Sequence, residues 1–146
     1  MVMTVRKILE EKGRDVFSMH PDATLVEAAQ EMAQRRIGAV VLISDGGDIA
    51  GVLSERDIVR MVGTRGPDCL SDSIGSVMTV EVVTCSEETT VNEVMETMTR
   101  KRFRHLPVIQ GGKLVGMVSI GDIVKRRIED AEREAEEMRS YISASV

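Results

Sequence analysis

Aromatic residues are nearly absent from this chain: two Phe, one Tyr and no Trp among 146 residues. Three rings cannot build a base-stacking platform or an aromatic cage, which argues against functions that depend on either. Cysteine is scarce as well. Cys69 and Cys85 make no disulfide framework, and a reducing cytoplasm is the expected compartment. The two histidines, His20 and His105, form no Cys/His cluster at metal-ligand spacing, so no metal site is expected. No apolar run approaches about 18 residues, which argues against a membrane-spanning helix. The opening residues, Met1-Val2-Met3-Thr4-Val5-Arg6-Lys7, lack the apolar core and cleavage site of a signal peptide. There is no Gly-rich P-loop with its lysine, and the acidic residues are spread along helices, so no enzyme is expected. A net charge of −5 argues against a nucleic-acid partner. What remains is ample: 42% hydrophobic residues, ten of them Met, enough for an aliphatic core without disulfide or metal.

The organising feature is an internal repeat. Thr24-Leu25-Val26-Glu27 recurs as Thr90-Val91-Asn92-Glu93, and Arg36-Ile37 as Arg102-Phe103. Gly51-Val52-Leu53-Ser54-Glu55-Arg56-Asp57-Ile58-Val59-Arg60 recurs as Gly116-Met117-Val118-Ser119-Ile120-Gly121-Asp122-Ile123-Val124-Lys125. The period is 66 and then 65, with two copies, which marks a duplicated small domain and not a solenoid.

Both copies read alike. Val16-Phe17-Ser18 and Val82-Val83-Thr84 are predicted as opening strands. Thr24 and Thr90 then cap helices with apolar stripes Leu25, Ala28, Ala29, Met32 and Val91, Val94, Met95, Met98. Gly38 is expected to end the first of these. Apolar runs at 39–43 and 105–109 are read as strands, turned at Gly46-Gly47 and Gly111-Gly112 into strands over 49–53 and 114–118. Helices follow from Glu55 and Ile120. The expected fold class is therefore α/β (α+β), two pseudo-symmetric β-α-β-β-α units packed as one module, plus a C-terminal helix. The divisions are 1–15, an N-terminal helical segment; 16–62, unit 1; 63–81, a polar connector with a short helix expected from Asp72; 82–127, unit 2; and 128–146, a charged helix.

This pattern resembles a tandem pair of cystathionine-β-synthase (CBS) domains, the regulatory modules similar to those in inosine monophosphate dehydrogenase and AMP-activated kinase. The resemblance covers about residues 2–127. It rests on the element order, on the strand Arg104-His105-Leu106-Pro107-Val108, and on the Gly-hydrophobic-hydrophobic-Ser-x-x-Asp signature in both copies. It implies a stand-alone, non-catalytic regulatory protein whose cleft holds AMP, ADP or ATP, or NAD or NADH, with S-adenosylmethionine ranked behind them. It also implies a two-fold homodimer and a protein target that receives the signal. The second reading is a structural oligomerisation or interaction module with vestigial clefts.

The residues themselves admit two readings. Gly51 and Gly116 mark places of close backbone approach. Ser54 and Ser119 stand where strand becomes helix, with Asp57 and Asp122 three residues on. Such a pair can cap a helix without any ligand. A carboxylate there can also take ribose hydroxyls, as an acid does in dinucleotide folds, while the helix start suits a phosphate. The copies differ where a phosphate would lie: Arg56 stands against Gly121, and Arg104-His105 against Gly38-Ala39. Arg56, Arg104 and His105 are therefore the candidate phosphate ligands. Pro107 cannot donate to a ladder, which frees an acceptor for an adenine amino group, and Val41 is its counterpart. An adenine could slide edge-on between Ala39–Val41 and Leu106–Val108, with Ser18 and Thr84 offering hydroxyls nearby.

At the C-terminus Val124, Ile128, Ala131, Ala135, Met138 and Ile142 step as a heptad seam. The helix carrying them either lies on its own domain or closes a homodimer.

Overall fold

The computed structural model describes residues 2–144. In chain order the elements are α1 (Val5–Lys12), β1 (Ser18–Met19), α2 (Leu25–Arg35), β2 (Ala39–Ile43), β3 (Ile49–Ser54), α3 (Glu55–Arg65), 3-10 turns at Pro67–Ser71 and Ile74–Ser76, α4 (Val91–Lys101), β4 (His105–Gln110), β5 (Lys113–Ser119) and α5 (Ile120–Ala144). The chain divides into two compact units, residues 15–84 and residues 1–14 with 85–146.

In the unit 15–84 the sheet order is β1-β2-β3, with β1 parallel and β3 antiparallel to β2. Its core gathers Leu25, Ala28 and Met32 from α2 with Val40, Leu42, Leu53 and Ile58. The connector contributes to it: Cys69 and Ile74, from the two 3-10 turns, are buried in the same cluster. In the other unit β4 and β5 form a hairpin, and α4 buries Val91, Val94 and Met98. Both hairpins turn on glycine where backbone φ is positive, at Gly47 (86°) and at Gly111 and Gly112 (59° and 78°).

Three local expectations need correction. The first opening strand is Ser18–Met19, with Val16 and Phe17 outside it. The strand expected over Val82-Val83-Thr84 does not form; Cys85 alone pairs, in one parallel bridge to Val108. The Cys85 N–H donates to the Pro107 carbonyl at 3.0 Å, and the Cys85 carbonyl accepts from the Ile109 N–H at 2.8 Å. In the first copy the Val41 N–H reaches back to the Phe17 carbonyl at 3.4 Å. Pro107 holds the matching position and has no N–H to give, so the ladder stops after one bridge. Nor does Gly38 end α2. The turn is made by Arg36 at φ 56°, matched by Arg102 at φ 60° after α4. Each arginine accepts the left-handed conformation at a cost of about 1 kcal/mol, and the next bend is thereby set. The Gly38 carbonyl then accepts from the Glu55 N–H (2.9 Å), as the Arg104 carbonyl does from Ile120 (2.8 Å).

A second symmetry joins segments that the repeat does not align. Val5 N–H donates to the Thr89 carbonyl, Arg6 N–H to Glu87, and Val91 N–H to Met3. In the first-copy unit Ile74 N–H donates to Ala23, Gly75 N–H to Pro21, and Leu25 N–H to Asp72. The pattern is the same, so the residues leading into one copy dock on the helix entry of the other. Val5 and Ile74, each fully buried, are the matched plugs. Arg126, buried on α5, fastens α1 by an ion pair to Glu11 at 3.0 Å and is held along its own helix by Asp130 at 3.0 Å, with its Nε unbonded among the described residues.

Candidate functional site

The strand-to-helix junction is built the same way in both units. Antiparallel register sets Ala39 beside Ser54 and His105 beside Ser119. Ser54 ends β3 in extended conformation, and its hydroxyl accepts from the Asp57 N–H at 3.2 Å while Asp57 Oδ2 accepts from the Ser54 N–H at 2.9 Å. Ser119 and Asp122 repeat this at 3.2 and 2.8 Å. The signature is therefore a working capping box in both copies, with Asp where Glu is usual. Capping engages Oδ2 only. A carboxylate has about four acceptor positions, so Oδ1 of each aspartate remains for a second partner. In Asp57 that atom lies 3.7 Å from Arg60.

The first turn of each helix is less open to an anion than its sequence implies. Glu55 and Ile120 give their N–H groups to Gly38 and Arg104, and Asp57 and Asp122 give theirs to the serines. The Arg56 and Gly121 N–H groups are the remaining donors. Arg56 is exposed and shares an open concave surface with Glu55, Val59 and Arg60, whereas Asp57 turns back to the strand end.

The two glycines of the signature are crowded by the chain itself. A Cβ on Gly51 would stand 2.7 Å from Met78 Sδ and 2.7 Å from the Thr79 carbonyl. On Gly116 it would stand 2.8 Å from a Leu9 methyl. Close approach is present, as expected, and its partner is the docked lead segment of each unit.

Among the remaining candidates, Ser18 pairs with Val41 in the parallel register and is exposed, while Val41 is fully buried and could meet a ligand through backbone alone. Pro107 is buried opposite Met117, Arg104 is exposed at the start of α5, and His105 is half-buried. Thr84 is exposed and outside any strand. Thus Ser18, Ala39, Val41, Ser54 and Asp57 come together in one unit, and Arg104, His105, Pro107, Ser119 and Asp122 in the other.

Sequence patterning did not show Lys12. Its ammonium reaches Asp122 Oδ2 at 2.7 Å and the Met117 carbonyl at 2.9 Å. In the first copy the Val52 carbonyl, the equivalent of Met117, accepts from the Thr79 N–H at 3.1 Å. A lysine thus does in one copy what a backbone bridge does in the other. The repeat does not extend back to residue 12, and a lysine in the last turn of a helix reads as solvated, so no signal pointed to it.

The sequence matches the CBS-domain family over residues 5–63 and 74–129. The chain belongs to the CBS-domain family. Its two copies are the two halves of a CBS pair. It is 42% identical to the CBS-domain containing protein ATU1752 of Agrobacterium tumefaciens, whose crystal structure superposes with a TM-score of 0.84 over 87% of this chain and 95% of that one. It is 33% identical to the mitochondrial CBS domain-containing protein CBSX3 of Arabidopsis thaliana, over 95% of this chain and 71% of that protein. The CBS pair of protein MJ0100, solved in complex with 5′-methylthioadenosine and S-adenosyl-L-methionine, is 21% identical and shares the fold (TM-score 0.79, covering 89% of this chain and 99% of that one).

Among the described residues of the CBS pair, no three His, Cys, Asp or Glu side chains are placed to hold a metal ion, and no helix is long and apolar enough to cross a membrane. Burial pushes the Cys85 thiol up to about 11, which keeps it protonated and unreactive near neutrality. His20 is tied to Asp45 at 2.8 Å in an exposed loop.

Proposed function

We propose that this CBS pair is a regulatory module that binds an adenosine nucleotide and passes the binding on as a change of conformation, with no chemistry of its own. The ligand class is AMP, ADP or ATP, or NAD or NADH, with S-adenosylmethionine behind them. One observation carries the reading. In each unit the same junction sets a carboxylate with a spare oxygen (Asp57, Asp122) at the start of the strand (Ala39–Val41, Leu106–Val108) along which an adenine edge would be read by backbone. The solved complex of the MJ0100 pair supports it, since that fold accommodates adenosine compounds.

In this reading Asp57 and Asp122 take ribose hydroxyls through Oδ1 while Oδ2 keeps the cap. Ser18 and Thr84 supply hydroxyls near the base or ribose. Arg56 serves the phosphate of the first site, and Arg104 and His105 that of the second. Lys12 sits only at the second junction, so the two sites differ in affinity. The output requires a ligand that prefers one of two conformations, offered to a protein target by a homodimer in the cytoplasm.

A second reading has its own support: both aspartates are already engaged in caps, and Asp122 also in an ion pair with Lys12. On that basis the module would be structural. Titration calorimetry with AMP, ATP and NADH separates the two. Asp57→Glu and Asp122→Glu keep the capping box, because Glu is its usual partner, but misplace Oδ1. Each single variant is expected to lose one binding event at unchanged melting temperature. Wild-type binding by both variants contradicts the ribose assignment.

A further inference from the structure

We infer that α5 closes a parallel, in-register two-stranded coiled coil with a second copy of this chain. From Ala131 to Ala144 every residue of α5 is exposed, including Met138 and Ile142 at 62% and 58% of their full area. This part of the helix therefore does not lie on its own unit, although the first turns of α5 do, through Ile123 and Arg126. The stripe residues Val124, Ile128, Met138 and Ile142 are left exposed. Val124, Ile128, Ala131, Ala135, Met138 and Ile142 alternate spacings of four and three, occupying the a and d positions of a heptad. The free stretch from Ile128 to Ile142 rises about 21 Å.

Charge selects both the occupant and the direction. The charged residues at the flanking g and e positions are Arg127, Glu134 and Lys125, Glu132, Arg139, and Tyr141 holds the last g position. In a parallel pair each g residue faces the e residue five positions on in the second copy. Arg127 then meets Glu132 of that copy, and Glu134 meets Arg139, so all four symmetry-related contacts are attractive. In an antiparallel pair Glu132 would face Glu132, Glu134 would face Glu134, and Lys125 would face Arg139, all like-signed. Within the chain Glu132, Glu134 and Arg139 form no ion pair among the described residues, while Arg127 bonds Asn92 at 3.1 Å. The alanines at positions 131 and 135 leave a thin seam that suits close approach of two helices, so the flanking charges contribute a large share of the association. The inference does not depend on nucleotide binding.

The full-length chain, studied by sedimentation velocity with far-UV circular dichroism as a check on folding, provides the test. The wild type is expected to be a dimer. Glu134→Arg turns two attractions into repulsions and is expected to weaken association about tenfold. The pair Glu134→Arg with Arg139→Glu is expected to restore it. Under a glutathione redox couple Ile142→Cys is expected to give a disulfide-linked dimer that the wild type, with its own two cysteines, does not give. A monomeric wild type, a dimer indifferent to Glu134→Arg, or cross-linking only in a mixture of Val124→Cys and Ile142→Cys chains would overturn the inference.

Discussion

Gly51 and Gly116 hold matched positions in the repeat, yet an added methyl would meet different neighbours. At Gly116 it presses on the flexible tip of Leu9; at Gly51 it meets the Thr79 backbone carbonyl as well as Met78. A side-chain tip can yield, whereas backbone held in a bridge to Val52 cannot without breaking it. Overpacking a core costs about 1–3 kcal/mol. Urea denaturation is expected to place Gly116→Ala near the lower figure and Gly51→Ala near the upper. Glu88, Glu93 and Cys85 titrate at shifted values. Glu88, held below its usual value chiefly by the Arg6 guanidinium, acts in the same sense as Glu93. The Thr90 N–H and hydroxyl hold the Glu93 carboxyl below its usual value. Its contribution is present above the unfolded value of about 4.3 and is lost as pH falls through the folded one. The acid limb of the melting-temperature profile should therefore flatten in Glu93→Gln, which retains the cap. Cys85 runs the other way, its thiol raised from 9.0 to about 11. Stability from the buried, protonated thiol is complete below pH 9 and is lost as pH rises toward 11. Cys85→Ala should flatten that alkaline limb, and an unchanged limb would contradict the assignment.

Among the elements, the exchanged lead segments carry the most consequence. Val5 and Ile74 fill equivalent places in different units although neither lies in the other's repeat position. Truncating a buried aliphatic to Ala costs about 2–5 kcal/mol for Ile and less for Val. Hydrogen exchange is expected to report where. Val5→Ala should speed exchange in α4 and β5, and Ile74→Ala in α2 and β3; uniform acceleration in both cases would contradict the exchanged docking. This arrangement also shows what the sequence could reveal. The helix stripes on α2 and α4, the hairpin glycines and both capping boxes were legible because each is a local rule with a short spacing. Lys12 against Asp122, and the docking of residues 3–6 near residues 87–91, were not, since they join positions some 80 to 110 residues apart with no periodic signal between them. The missing strand at 82–84 is itself legible in the sequence, because Pro107 cannot donate to a ladder. The inability acts on the neighbouring strand, which is why reading the opening run by its own β propensity misled.

For the whole molecule, aromatic poverty takes on a narrower meaning. It excludes ring stacking, but an adenine read edge-on by strand backbone needs no ring, and in the reading proposed above both units offer such an edge beside an aspartate. The two proposed sites also differ in their residues, with Arg56 in one, and Arg104, His105 and Lys12 in the other. Lys12→Met is therefore expected to change affinity at one of two sites, seen as a shift in one calorimetric phase with the other unmoved. The central claim is tested most directly by a thermal-shift series on the full chain with AMP, ADP, ATP, NAD, NADH and S-adenosylmethionine. A ligand at a hundred times its dissociation constant adds about 2.7 kcal/mol of stability. At least one of these compounds is expected to raise the melting temperature saturably, and the rise should disappear when Asp57→Glu and Asp122→Glu are combined. No shift with any of the six would contradict the account and leave the structural module as the reading.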